Sequence, residues 1–232
     1  VGFYGRSNRM LIEQEILKGE LRDCQIVECD LSGLAAGPSL WNEVELRDLH
    51  ANDIRFEGTR IAKSFFYRSS FMRARFTDTA IRTATLDGLT LIRSRWQGCS
   101  VSESIFKNLC LQRAEFLGCR ISGSTFADFE ALDAAIENTV IAHSGFSISY
   151  GSGMNGFSGG TIRNCLFYNC RFEGFPLRGA ALDSCAFIYC SGEIGDDMDC
   201  SNVAGLGLRG GRISPMPIKS RNEASGLLAR FI

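Results

Sequence analysis

Every fifth residue of this chain is apolar over most of its length. From Phe56 the series reads Ile61, Phe66, Phe71, Phe76, Ile81, Leu86, Leu91, Trp96, Val101, Phe106, Leu111, Phe116, Ile121, Phe126, Ala131, Ile136, Ile141 and Phe146. A composition of 45% hydrophobic residues would not hold one phase through so many steps by chance. A strand facing one core repeats every second residue and a helix about every 3.6, so neither governs the chain. The phase extends backward through Ala51, Leu46, Trp41, Ala36, Leu31, Ile26, Leu21 and Ile16. Forward, it restarts one residue late at Phe157 and runs through Ile162, Phe167, Phe172, Leu177, Leu182 and Phe187. After a second slip it reads Met198, Val203, Leu208, Ile213 and Ile218.

Two residues before each centre the side chain is small: Ser64, Ser69, Ala74, Thr79, Ala84, Ser94, Cys99, Ser104, Ala114, Cys119, Ser124, Ala134, Thr139, Ser144. The large exceptions, Leu89, Leu109 and Phe129, are themselves twenty apart. Each unit thus turns one large and one small side chain inward and three outward. This pattern resembles the pentapeptide-repeat family over about residues 16–218, with Ser, Thr or Cys often standing where the family favours Ala. The resemblance implies an all-β fold: a right-handed quadrilateral parallel β-helix, here of about ten coils, with four five-residue faces per coil.

Residues twenty apart should then stack. One wall reads Leu21, Trp41, Ile61, Ile81, Val101, Ile121, Ile141, Ile162, Leu182, Val203. The next reads Ile26, Leu46, Phe66, Leu86, Phe106, Phe126, Phe146, Phe167, Phe187, Leu208. Coils at the inter-strand spacing of about 4.8 Å make a rod on the order of 50 Å long. The slips fall in 147–156 and 188–197, and the Pro-bearing 33–43 reads as a bulge or short loop. These place the irregular side of the rod on its third and fourth faces.

Solenoid ends need caps. Residues 1–20 are expected to form an N-terminal cap, with a helix over 7–19 opened by Ser7 or Asn8 and stopped at Gly19. The β-helix follows over 21–218. Residues 219–232 read as a C-terminal helix, because Ser220 and Glu223 have capping-box spacing. Its Leu227, Leu228, Phe231 and Ile232 form an apolar face that serves either as a lid on the last coil or as a dimer seam. The family resemblance favours a homodimer.

The 232 residues carry a net charge of −1, so any electrostatic function must be local. No apolar run is long enough to span a membrane, and 1–10 lacks the apolar core of a signal peptide. Eight of the ten cysteines, Cys24, Cys29, Cys99, Cys119, Cys165, Cys170, Cys185 and Cys190, take the small inward position. They read as reduced core fillers, with parallel Cβ vectors that do not suit disulfides. Reduced thiols point to the cytoplasm. Cys110 and Cys200 fall outside the pattern and are expected at the surface. No four ligands converge, so neither metal nor cofactor is expected. His50 and His143 sit several coils apart in outward slots, so no catalytic triad is expected and the protein reads as no enzyme. Glu193, Asp196, Asp197 and Asp199 form a solvated acidic loop, and the G-x-G-x-x-G string at 205–210 lies inside the repeat.

One outward pattern is sharper. Two residues after the third-face centre come Asp53, Arg73, Arg93, Arg113 and Asp133, and one before the fourth-face centre come Arg55, Arg75, Arg95 and Glu115. Six arginines therefore line one edge, with acids at both ends and Arg68 a candidate extension. Stacked like charges are unfavourable. Either the guanidinium planes lie flat with neighbouring acids in compensation, or the strip binds an acidic or phosphate-rich surface. The chain thus reads as a rigid rod presenting an arginine strip and a loop edge to a protein partner or polyanion. The family resemblance implies two alternatives. One is a DNA mimic that binds DNA gyrase and gives quinolone tolerance, although those rods are strongly acidic. The other is an effector translocated by a pathogen.

Overall fold

In the computed structural model the repeat centres of three of the four walls sit in short strands, most of them three residues long, whose flanking side chains mostly face outward. The strands Arg55–Glu57, Arg60–Ala62 and Phe65–Tyr67 form consecutive walls of one coil. The structure describes residues 2–5, 9–193, 199–201, 206–209, 212–215 and 229. The coils wind right-handed into a parallel solenoid of about nine turns. Phe56, Phe66 and Phe71 are at most 3% exposed, and so are the small inward Thr59 and Ser64.

The corners explain how five residues turn through a right angle. Two residues past most centres the backbone enters the left-handed region, as at Lys63 (φ 50°), Arg73 (φ 57°) and Asp78 (φ 48°). On the third wall this corner closes a β-turn: the Ala74 amide donates to the Phe71 carbonyl (3.1 Å), and Ser94 and Ala114 repeat the bond to Leu91 and Leu111. Positive φ at the third turn residue is the type II pattern. The third wall is therefore made of turns linked by single bridges such as Ser70↔Thr90, whereas the fourth wall is a continuous nine-stranded sheet.

Inward Ser and Thr are not idle substitutes for Ala. Ser104 Oγ donates to the Ser102 carbonyl (2.8 Å) and accepts the Ala84 amide of the preceding coil (3.1 Å). Ser124 and Ser144 continue the ladder. Cysteine fills the slot in a related way: Cys99 Sγ donates to the Phe76 carbonyl (3.1 Å). Among the described residues no buried side-chain nitrogen or oxygen lacks a partner, as a stable interior requires.

The columns stack as expected through the first seven coils. Ile61, Ile81, Val101, Ile121 and Ile141 pair in register. Rings Phe106, Phe126 and Phe146 stack at 4.6 and 5.0 Å.

Beyond Phe146 the expected columns need correction. Ile141 pairs with Phe167 rather than Ile162, Phe146 with Phe172 rather than Phe167, and Ile136 with Ile162. The excursion at 147–156 adds six residues, one unit plus one, so every later centre lies one wall back from its expected place. At the second slip Cys200 pairs with Leu182, taking the column position assigned to Val203. The expected coil through Leu208 and Ile213 is instead an antiparallel hairpin, Leu206–Arg209 with Arg212–Pro215, which pairs with the edge strand Ser191–Glu193. Excursion and hairpin together use the residues counted toward a tenth coil. The segment 33–43 keeps strict register, with Ala36 paired to Phe56 and Trp41 to Ile61, so it is no bulge.

At the N-terminal end a helix spans Arg9–Leu17 and turns Ile12 and Ile16 onto the first coil. A strand at Gly2–Tyr4 precedes it and pairs in parallel with the second wall, placing Phe3 under Ile26. The expected C-terminal helix, with Leu227, Leu228, Phe231 and Ile232, lies outside the described residues, as do Asp196 and Asp197 of the acidic loop.

Candidate functional site: an arginine groove

The strand register brings the predicted arginines into one surface. Arg55, Arg75, Arg95 and Glu115 are direct cross-strand neighbours on the outer face of the fourth wall. Arg73, Arg93 and Arg113 occupy the corner beside them, each with φ near 57°. A groove of about 630 Å³ runs between the two columns, lined by Arg73, Arg75, Arg93 and Arg95 with Asp53, Glu57, Glu115, Thr77 and Gln97.

The acids grip the ends of the strip and leave its middle open. Arg73 makes a two-pronged bond to Asp53, Nε to Oδ1 at 2.9 Å and the terminal nitrogen to Oδ2 at 2.7 Å. That hydrogen bond holds the Asp53 carboxyl below its usual range, and the nearby charges of Arg75 and Arg55 act in the same direction. Arg95 reaches Glu115 at 3.6 Å and Arg113 reaches Asp133 at 3.6 Å. Arg55, Arg75 and Arg93 form no salt bridge among the described residues. About half of each ion-paired side chain is exposed, so these pairs orient guanidinium groups more than they stabilise the fold.

Arg68 does not extend the strip. It sits at the neighbouring corner, bonded to Asp48 at 3.1 and 3.0 Å, and lines a separate groove with Tyr67 and Asp87. Sequence reading passed over Glu57, Thr77 and Gln97. The available signal was positional, since each stands one residue after a fourth-wall centre and mirrors the arginine one residue before it.

Other candidate chemistries do not assemble. His50 lies on the third wall, while His143 contacts Asn169 at 2.9 Å and the Tyr168 ring at another corner. Among the described residues no group of His, Cys, Asp or Glu could hold a metal ion, and no helix is long and apolar enough to cross a membrane. The eight inward cysteines are buried and unpaired, and Cys110 is half-buried. Hydrogen bonding between stacked thiols, together with burial, holds Cys99, Cys165 and Cys170 above the ordinary thiol range. Because all eight inward thiols are buried, iodoacetamide should modify Cys110 in the native protein and spare those eight until denaturant is added. Mass spectrometry checks this, and native labelling of Cys99 or Cys165 at the Cys110 rate would contradict it.

No family model matches the sequence, and no curated protein matches it. Solved structures do. The full-length structure of QnrB1, a plasmid-mediated fluoroquinolone resistance protein, superposes with a TM-score of 0.52 at 16% identity, covering 91% of this chain and 89% of that one.

This chain has the pentapeptide-repeat fold.

HetL, a pentapeptide-repeat protein involved in heterocyst differentiation regulation in the cyanobacterium Nostoc sp. strain PCC 7120, matches at TM-score 0.38 and 14% identity, over 91% of this chain and all of that one. The A-module of the Azotobacter vinelandii mannuronan C-5 epimerase AlgE4 matches at TM-score 0.35 and 10% identity, over 82% and 72%. At these identities the pentapeptide-repeat likeness concerns architecture.

Proposed function

We propose that this pentapeptide-repeat protein is a non-enzymatic interaction module that docks a discrete acidic patch of a partner protein in the groove between Arg75, Arg95 and Arg93. One observation carries the reading. Arg75 and Arg93 face one open groove from its two columns without salt bridges of their own among the described residues, while Asp53, Glu115 and Asp133 engage Arg73, Arg95 and Arg113. Like charges set one rung apart repel, and an acidic ligand relieves that repulsion while accepting the planar, two-pronged bonds guanidinium groups favour.

The same acids argue against a long polyanion. The arginine run spans three rungs, about 10 Å at the inter-strand spacing. Glu115 and Asp133 follow at one end and Asp53 lies at the other. A nucleic-acid strand laid along the rod would leave the arginines and meet carboxylates within a few phosphates. An acidic protein surface with matching short length would not. Buried, reduced thiols support a reducing compartment such as the cytoplasm.

Capture of partners from the native cell by wild-type protein and by the Arg75→Glu/Arg95→Glu variant tests this. Bound acidic proteins should fall roughly tenfold or more with the variant and with added salt. Heparin and DNA should be retained no better by wild type than by the variant. Unchanged capture by the charge-reversed rod would refute the reading.

A further inference from the structure

The residue before each arginine of the corner column belongs to the outer side of the third wall. The ladder holds these residues one rung apart: the amides of Asp53, Arg73, Arg93 and Arg113 donate to the carbonyls of Met72, Ile92, Gln112 and Leu132 at 2.8–2.9 Å. The column therefore reads Asn52, Met72, Ile92, Gln112, Leu132. Asn52 and Gln112 are polar, and Asn52 Oδ1 accepts from the Met72 amide (3.0 Å) and the Ser70 hydroxyl (2.7 Å). Between them stand Met72 and Ile92, both half-buried. Their two rungs are the ones that carry Arg73, Arg75, Arg93 and Arg95, the arginines that line the groove. Leu132 stands apart, beyond Gln112 and beside Asp133. The coil does not require this coincidence. Phe71 and Leu91 already fill the interior of those rungs, and the same outward slot takes Asn52 and Gln112 without loss of register. A ligand that covers the apolar pair as well as the groove gains the burial of both.

Resting on the groove reading above, we propose that the docking element of the partner protein is an amphipathic α-helix laid along the rod. Its Asp or Glu side chains enter the arginine groove, and its adjacent apolar side chains lie on Met72 and Ile92. Spacing selects the helix. Side chains at i, i+4 and i+7 recur about every 5.4 Å along one helix face, close to the rung spacing of about 4.8 Å. Same-face residues of an extended strand recur about every 6.7 Å and fall out of step with the arginines sooner. A helix about 10 Å wide also reaches across the corner from the fourth-wall arginines to the third-wall pair. A polyanion offers nothing to that pair.

Fluorescence anisotropy with the full chain and defined peptides tests this. The first probe is an alanine-based helical peptide of about 18 residues, with Glu at i, i+4 and i+7 and Leu directly after each Glu. A second peptide carries Gln in place of Leu, and a third keeps Leu but has a central Pro that breaks the helix. The Leu helix should bind wild-type protein at least about fivefold tighter than either of the other two. In the Met72→Ser/Ile92→Ser variant that preference over the Gln helix should vanish while the Gln helix binds as before. In Arg75→Glu/Arg95→Glu both helices should lose binding. Equal binding of the Leu and Gln helices to wild type, with both lost in the arginine variant, would overturn this inference and leave the groove reading standing. So would equal binding of the Pro peptide, or a Leu preference that survives Met72→Ser/Ile92→Ser. Binding of neither helix, or binding indifferent to Arg75→Glu/Arg95→Glu, would overturn the groove reading and this inference with it.

Discussion

Phe126→Ala should destabilise the protein by about 3–5 kcal/mol. The ring is 3% exposed and stacks on Phe106 at 4.6 Å and Phe146 at 5.0 Å, with Phe129 edge-on at 6.3 Å. Its removal loses apolar burial and opens a gap that strands above and below cannot close, because their spacing is set by the backbone ladder. A chain of this length should melt roughly 6–20 °C lower. Ser122→Ala, on the outside of the adjacent wall, should shift stability by less than about 0.5 kcal/mol. Thermal and urea melts followed by circular dichroism give both values. A loss under about 1 kcal/mol for Phe126→Ala would mean the stacked column does not carry the fold.

Gly156→Ala should be comparably severe for a different reason. Gly156 is where the chain re-enters the stack after the 147–156 excursion. Its φ is +57°, and a Cβ there would lie 2.1 Å from the Pro176 carbonyl oxygen and 2.8 Å from its carbon. The residue is also held on its other side: its amide donates to Phe129 (3.0 Å), and its carbonyl accepts from Ala131 (2.7 Å). Neither neighbour is a side chain that can swing aside. We expect a loss of at least about 2–3 kcal/mol. Gly145→Ala is the control: its Cβ meets nothing within 4 Å and its φ is not positive, so stability should stay within about 0.5 kcal/mol. Equal effects of the two substitutions would show that the 156 re-entry is not a fixed point of the coil.

The first seven coils were legible because periodicity is a statement about burial, and burial is what the walls share. Ile61, Ile81 and Val101 could be placed above one another before any coordinates. The excursion after Phe146 was not legible. An insertion of one unit plus one residue leaves the same phase as an insertion of one residue, so a five-residue count cannot tell Phe167 on the second wall from Phe167 on the first. Only pairing partners decide it. The strand at Gly2–Tyr4 was hidden because the helix Arg9–Leu17 separates Phe3 from Ile26 by a spacing the repeat does not contain. The hairpin had a local signal, the two glycines Gly210 and Gly211 between alternating Leu206, Leu208 and Ile213. Two-residue glycine connections favour hairpins, but Leu208 and Ile213 also kept the five-residue phase. The arginine columns were predicted in place because a stacked coil fixes outward positions as firmly as inward ones. Which of those arginines the acids would engage depends on side-chain reach, and the repeat does not encode that.

Each turn of this molecule touches only the turns beside it. A gene that duplicated or lost one twenty-residue turn within the arginine zone would therefore lengthen or shorten the basic strip by a fixed step, with both ends untouched. Recognition footprint and scaffold can vary together by copying, without the redesign of a shared core that a globular binding domain would demand.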